Sequence, residues 1–583
     1  MSVQDHRAYR PTPAPARSGG RPLTSTVSPW LRWITEAVWF VEHAFERARA
    51  DARPEEDTRV RIFLIQLVFA GVFAFLALGA AHAALMTPKG GSGVASVAGA
   101  LRRADLTDRN GQLLATNITH YGLYIDPAEV WDREAALTRI RRVMPGISVE
   151  RLRRVLNGDR RLIVQPGLTP TERQAIHALA LGGVSFEPED RRVYPLNRSG
   201  VHLIGIADTG GEGISGAELA FNDEIKAAGE AGETFPLSID LRVQGILENE
   251  LDVAATEAAA KGAVGVVADA RTGEILGMAS WPTYDANRRG SAPDAAALNR
   301  VTSAHFEMGS VFKTFTVAAA IDTGLADLDT MIDASQAYMI GNRRISDFHA
   351  TNKILSLEEV YLHSSNIGTS RLAVEMGPDT MRTYFQRFGL LDAAPIELHE
   401  SARPRRPRDW SDSTRASMSF GYGIMITPLQ MTAATVSLVN GGVFRPLSLR
   451  VGGTGAEGRR VVSPQTSASI RELMRANVLR GSGGQADAAG LRVGGKTGSA
   501  NKLVDGRYDA RHGVGSFAAV FPADGPDDAQ RYVIFVLIDE PGEGSRLGGA
   551  IAAPVVGRVV DRIAGFLGVQ RRVDPPVAAE VAR

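Results

Sequence analysis

Residues 62–86 read IFLIQLVFAGVFAFLALGAAHAALM, 25 consecutive positions without a charge, interrupted only by Gln66 and His82. As a helix at ~1.5 Å per residue the run reaches about 37 Å, against ~30 Å of bilayer hydrocarbon, so it predicts a single transmembrane helix. Ala81-His82-Ala83 resembles a signal-peptide cleavage site. Against cleavage, 61 residues precede the run, and it is longer than the apolar stretch of a signal peptide. Upstream, apolar residues 30, 34, 37, 38, 41, 44 and 45 return at helical spacing. That pattern predicts an amphipathic helix within 30–61, lying on the membrane surface, docked on a membrane partner or packed as a hairpin against the span. Residues 1–29 carry Pro, Gly and Ser without apolar periodicity and are expected to be a disordered tail.

Beyond the span, residues 87–101 read as a linker, and 102–235 as an α+β module of short segments with turn signals such as Asn110-Gly111 and Pro195. A larger unit is expected over 236–569. It opens with a strand-then-helix pattern, followed by two apolar runs joined at Arg271-Thr272-Gly273-Glu274, a β-hairpin signal. Helical patterns dominate 309–390 and 413–440, and strand-like runs return at 514–521 and 531–539. Strands at both ends with helices between predict one antiparallel sheet flanked by helices, an α+β fold. Residues 570–583 read as a frayed tail.

Charge adds sidedness. Residues 1–61 hold ten Arg, whereas residues 87–101 hold only Lys89, so the N-terminus is expected in the cytoplasm and everything after the span outside it. The whole chain balances 65 basic against 65 acidic residues, which gives no global field for nucleic acid. It has no cysteine, which excludes a thiol nucleophile and a disulfide framework. Of the 65 cations 58 are Arg and seven are Lys. Lysine alone of the two can lose its proton near neutral pH when buried, so each lysine matters individually.

Two of the seven fall in suggestive places. Ser310 follows a glycine and opens a helical pattern, with Lys313 three residues on, where its amine can reach the hydroxyl. A serine needs such a base, and a desolvated lysine can serve. The tetrad alone is weak evidence, since Ser499 and Lys502 repeat it. Ser364-Ser365-Asn366 follows in a polar break between helical stretches. Then Gly494-Gly495-Lys496-Thr497-Gly498-Ser499 sets an amine and hydroxyls on a glycine-flanked strand that a substrate backbone can approach closely. S-x-x-K, S-x-N and K-T-G in this order are the signature shared by β-lactamases and penicillin-binding proteins.

The chain thereby resembles the class B penicillin-binding proteins, the peptidoglycan D,D-transpeptidases, in their septal, FtsI-type branch. Further motifs agree: residues 103–111 (RADLTDRNG), Arg192-Val193-Tyr194-Pro195 with Gly200 and residues 202–205, and Gly216-Ala217-Glu218. In the catalytic unit, Ser419-Phe420-Gly421-Tyr422-Gly423, Thr427-Pro428-Leu429-Gln430 and Asn440-Gly441-Gly442 fit as well. Ala104, Met308 and Ser499 depart from the usual Gly, Pro and Thr.

The resemblance implies a pedestal over 102–235 and a serine β-lactamase-like transpeptidase domain over 236–569. It implies that Ser310 attacks the penultimate D-Ala carbonyl of a stem peptide, forming an acyl-enzyme that a neighbouring stem's amine releases. Lys313 would be the base, Ser364 a proton relay, and Asn366 a holder of the substrate amide or of Lys313. Lys496, Thr497 and Gly498 would receive the substrate's terminal carboxylate and backbone, and the N–H groups of Ser310 and Ser499 would form the oxyanion hole. β-Lactams would acylate the same serine, and no metal or cofactor is implied. The implied setting is septal cell-wall synthesis at the bacterial inner membrane, catalytic domain in the periplasm. The implied partners are the SEDS glycosyltransferase FtsW and other membrane proteins of the division machinery. Alternatives are an elongation-type transpeptidase, a β-lactamase or penicillin sensor, and an inactive scaffold; the Ser364-Ser365-Asn366 triplet and the full set of reactive groups favour the septal enzyme.

Overall fold

The computed structural model describes residues 65, 66, 68–77 and 103–572, with the backbone alone at Arg289, Ser291 and Ala510. The expected tail at 1–29, the amphipathic helix at 30–61 and the linker at 87–101 lie outside the described residues, as does nearly all of the tail at 570–583. The chain divides into two compact units, residues 1–98 and 99–583. In the first, residues 65, 66 and 68–77 are helical, with Phe69, Phe73 and Phe75 exposed at 61%, 68% and 77%. This is part of the expected span; no helix among the described residues is itself long and apolar enough to cross a membrane.

The second unit begins with a small sheet. The strand Leu113–Ile125 pairs antiparallel with Val184–Val193, with Leu162–Leu168 and with the short strand Leu106–Thr107, which pairs in parallel with Phe235–Pro236. Helices Arg133–Val143, Val149–Leu156 and Pro170–His177 bury Ile140, Leu152 and Ile176 against Leu123 and Ile125. Each starts on a side-chain cap, Asp132, Ser148 or Thr169, which satisfies backbone donors that the first turn leaves free.

The three N-terminal motifs singled out above converge here on one carboxylate. Glu218, fully buried, accepts from Arg103 Nε at 2.6 Å and Arg192 Nε at 2.7 Å, and Tyr194 donates its hydroxyl to it at 3.3 Å. A buried carboxylate is tolerated only when paired and hydrogen-bonded in this way, so the motifs read as one structural knot. Asp108 ties the knot's strand onward, accepting from the backbone N–H of Leu241 at 3.1 Å where the helix Leu241–Glu257 begins.

A five-stranded sheet follows, in the order Gly494–Val504, Arg507–Phe521, Tyr532–Asp539, Gly262–Asp269, Ile275–Trp281, every neighbouring pair antiparallel. The middle strand shows why it must be covered on both faces. Val533, Phe535 and Leu537 join one core and Ile534, Val536 and Ile538 the other, since successive side chains point to opposite sides. Helices Leu241–Glu257 and Ala553–Ile563 supply Leu247, Leu251, Val556 and Val559 to the second core. Helices Lys313–Asp322, Pro428–Val439 and Pro464–Arg480 fill the first. The helix-flanked antiparallel sheet is thus as expected.

Two details differ. The strand expected just after residue 236 is reduced to Phe235–Pro236 and belongs to the first sheet, because Asp240 caps the next helix four residues on. The pattern expected to be mainly helical over 309–390 is broken by two short β-pairs, Met331–Asp333 with Ile354–Ser356 and Tyr338–Ile340 with Arg343–Ile345. Strands of three residues carry too little alternation to show a period of two in the sequence.

Candidate active site

Ser310 lies in a 3-10 turn, Gly309–Phe312, that runs straight into the helix Lys313–Asp322. In a 3-10 turn side chains three apart eclipse, which brings Lys313 to the side of Ser310 more directly than an α-helix does. Gly309 has φ of +58°, and a side chain there would lie 2.3 Å from the Ser499 carbonyl oxygen. A glycine is required on both counts, and it seats the turn against the free edge of the strand Gly494–Val504. Gly498 is needed for the same contact from the strand's side, since a Cβ there would meet the Met308 carbonyl at 2.5 Å.

Along that strand Lys496 pairs with Ala518 and Ser499 with Gly515, and among the described residues no strand pairs with its other edge. In an antiparallel ladder alternate residues direct their N–H and C=O groups to the same edge, so those of Thr497, Ser499 and Asn501 line one side. The Ser499 backbone that meets Gly309 is on this edge, which leaves its N–H beside the first residues of the Gly309–Phe312 turn.

Ser364 joins the two lysines. It lies between helices Leu357–Leu362 and Asn366–Met376 with φ of +56°, an unusual conformation for a residue with a side chain. Lys313 donates to its Oγ at 3.1 Å and to its carbonyl oxygen, and Lys496 donates to the same Oγ at 3.0 Å. Both lysines are fully buried. Burial, reinforced by the nearby Lys496 charge and opposed by Asp347, drives the Lys313 amine far below the usual lysine range. Burial brings Lys496 down to about 7. The Ser364 oxygen has two lone pairs for these two donors, and its own proton can turn only to an amine that is neutral, which suits one ammonium and one neutral amine. The Tyr361 ring, its centroid 5.6 Å from the Lys496 nitrogen, favours leaving the charge there and Lys313 neutral.

Ser310, Ser364, Asn366, Thr497 and Ser499 all line one cleft of about 420 Å³, so the structure brings the sequence-predicted residues together. Lys313 and Lys496 lie beneath its floor through Ser364. Asn366 faces the cleft while donating from Nδ2 to the Ser346 carbonyl at 3.0 Å; among the described residues its amide makes no bond to Lys313. The second tetrad does not form a dyad. On a strand, residues three apart face opposite ways, and Lys502 pairs instead with Asp539 at 2.6 Å and Glu540 at 2.8 Å.

Several residues had no signal in the sequence. Asp347 accepts from Ser365 Oγ at 2.7 Å and from the Ile367 N–H at 2.9 Å, fixing the loop that carries Ser364. Ser482 hydrogen-bonds the Thr497 hydroxyl at 2.7 Å. Phe348, 76% exposed, and His349 stand on the cleft wall. Each is distant in sequence from the motif it serves, and no spacing rule links them.

The model of the penicillin binding protein transpeptidase domain matches residues 263–561, and that of the penicillin-binding protein dimerisation domain matches residues 100–226. The chain is 50% identical over 562 residues to the probable peptidoglycan D,D-transpeptidase FtsI of Caulobacter vibrioides, covering 94% of this chain and 95% of that protein. The chain belongs to the class B penicillin-binding proteins, in their FtsI-type branch. Among more distant members, it is 31% identical to the probable peptidoglycan D,D-transpeptidase PenA of Neisseria gonorrhoeae over 503 residues, 80% of this chain and 85% of that one. To the peptidoglycan D,D-transpeptidase FtsI of Escherichia coli (strain K12) it is 30% identical over 506 residues, 80% of this chain and 84% of that one. Both domain models of the penicillin-binding proteins lie within the second unit, and the whole cleft falls inside the transpeptidase match.

Proposed function

We propose that this penicillin-binding protein is a serine-type peptidoglycan D,D-transpeptidase of septal wall synthesis and a target of β-lactams, with Ser310 as its nucleophile. The observation that carries the residue assignment is the Ser364 hydroxyl, held between two buried lysines in the cleft that Ser310 also lines.

In this reading the Ser310 Oγ attacks the carbonyl carbon of the penultimate D-Ala and its proton passes to the neutral Lys313 amine. Arg could not take this part, because its guanidinium does not release a proton. The carbonyl oxygen becomes an oxyanion facing the N–H groups of Ser310 and Ser499, each worth about 3 kcal/mol to such a charge. Collapse breaks the carbon–nitrogen bond, and the leaving D-Ala amine takes the proton from Lys313 through Ser364. The second stem's amine then attacks the ester carbonyl, loses its proton to Lys313, and the Ser310 oxygen leaves with that proton. Lys496 and the Thr497 hydroxyl receive the donor's terminal carboxylate, Gly498 lets its backbone lie close to the strand, and Asn366 holds a donor amide from the opposite wall.

The same reading places the N-terminal tail and amphipathic helix at 1–61 in the cytoplasm, a span over 62–86, a pedestal over 102–235 and the transpeptidase domain over 236–569 in the periplasm. The exposed phenylalanines of the helix at 68–77 support the span. Glycan polymerisation then falls to a membrane partner, by resemblance the glycosyltransferase FtsW, meeting this chain span to span. The test is full-length protein in detergent, given a D-Ala-D-Ala stem pentapeptide and a labelled D-amino acid. Release of D-Ala with incorporation of the label is expected, and hydrolysis of benzylpenicillin at β-lactamase rates without either product overturns the proposal.

A further inference from the structure

Glu307, three residues before Ser310, is buried to 6% exposure and belongs to none of the motifs above. Its chain position is fixed by the flanking Phe306, whose N–H and C=O both pair with Ile426 at 2.9 and 3.0 Å. One carboxylate oxygen, Oε1, accepts from the Gly423 N–H at 2.6 Å and from the Tyr508 hydroxyl at 2.9 Å. Gly423 follows Tyr422, a residue of the cleft wall. Tyr508 is on the return strand of the hairpin whose outgoing strand carries Ser499.

These contacts close a ring. The Tyr422 hydroxyl accepts from the Asn501 N–H at 3.1 Å, on the edge that also carries the Ser499 N–H. The Tyr422 and Tyr508 rings meet edge to face, with centroids 5.1 Å apart. Just past Asn501 the ladder is irregular, so regular pairing alone does not hold the edge there. Burial pushes the Glu307 carboxyl upward in pKa, the direction expected of a group given over to position rather than to solvation.

We propose that Glu307 is a positioning residue for acyl transfer: by tying Gly423 and Tyr508 together it holds the Ser499–Asn501 strand edge at the distance from Ser310 that the oxyanion hole needs. The role is distinct from substrate capture, since Glu307 does not line the cleft. The proposal rests on Ser310 being the nucleophile, so the test separates the two.

Full-length protein in detergent is mixed with a chromogenic cephalosporin in stopped flow, and the acylation rate constant is separated from the dissociation constant of the initial complex. Glu307→Ala is expected to lower the rate constant about 10- to 100-fold, with the dissociation constant within about threefold. Glu307→Gln keeps an acceptor oxygen in place and is expected to restore the rate to within about fivefold of wild type, and Tyr508→Phe to lose about three- to tenfold. An unchanged rate constant in Glu307→Ala, or a Gln variant as slow as the Ala variant, overturns the proposal. If Glu307→Ala does not fold, wild-type acylation by Tyr508→Phe overturns it. Ser310→Ala run alongside reports on the nucleophile: acylation persisting there refutes the Ser310 reading, whereas its loss with a normal Glu307→Ala refutes only the positioning role.

Discussion

Ser310-Val311-Phe312-Lys313 and Ser499-Ala500-Asn501-Lys502 have the same pattern and opposite fates. The first is wound into a 3-10 turn that stacks lysine beside serine; the second is stretched along a strand that separates them. Lys313 is fully buried with a second lysine as its neighbour, so its proton is weakly held. Lys502 keeps 30% of its side chain exposed and is paired with Asp539 and Glu540, and these partners outweigh its burial and raise its pKa. A spacing motif specifies chemistry only through the secondary structure that bears it and the dielectric that surrounds it.

The comparison is broken most severely by exchanging each lysine for arginine. Lys313→Arg is expected to lower β-lactam acylation by at least about 1,000-fold, as removal of a general base does, whereas Lys502→Arg stays within about threefold. Equal losses at the two positions, measured by stopped-flow acylation, refute the division. Lys496→Arg is expected to fall between them, losing about 10- to 100-fold, since it keeps the charge and loses the compact fit. If its rate matches that of Lys313→Arg, Lys496 is not mainly a source of charge.

A subtler test uses pH. In the proposed mechanism Lys313 acts only when neutral, so acylation is expected to fall as pH drops through its titration. The Lys496 charge is the second cause, after burial, of its lowered pKa. Removing that charge in Lys496→Ala lets Lys313 hold its proton to higher pH, so the acid limb of the acylation profile moves upward. A limb that stays in place shows that burial alone sets the Lys313 titration. The smallest effect belongs to the strand copy: Lys502→Met is expected to cost about 1 kcal/mol of stability, a partly exposed pair, with acylation preserved. A thermal midpoint equal to wild type shows that the ion pair contributes nothing.

Much of this was legible in the chain. The sheet declares itself because its inner strands are buried on both faces and appear as unbroken apolar runs, as at 532–538. The four candidate side chains Ser310, Lys313, Ser364 and Lys496 stood out because lysine is scarce here and the motifs fall in a fixed order. What stayed hidden depends on long-range contact. Nothing near Asp347 indicates that it anchors Ser365, and nothing near Glu307 indicates Tyr508, 201 residues away. The Arg103–Glu218–Arg192 knot lay between these cases, its members visible as motifs while their meeting on one carboxylate was not.

The central claim is that Ser310, and not its strand counterpart Ser499, becomes the acyl-enzyme. The most direct measurement is the intact mass of the full-length protein after incubation with benzylpenicillin, followed for hours and mapped by peptide digestion beside Ser310→Ala. A lasting adduct on the peptide containing Ser310, absent from the variant, is the predicted result. An adduct on Ser499, or one that survives in Ser310→Ala, contradicts the account.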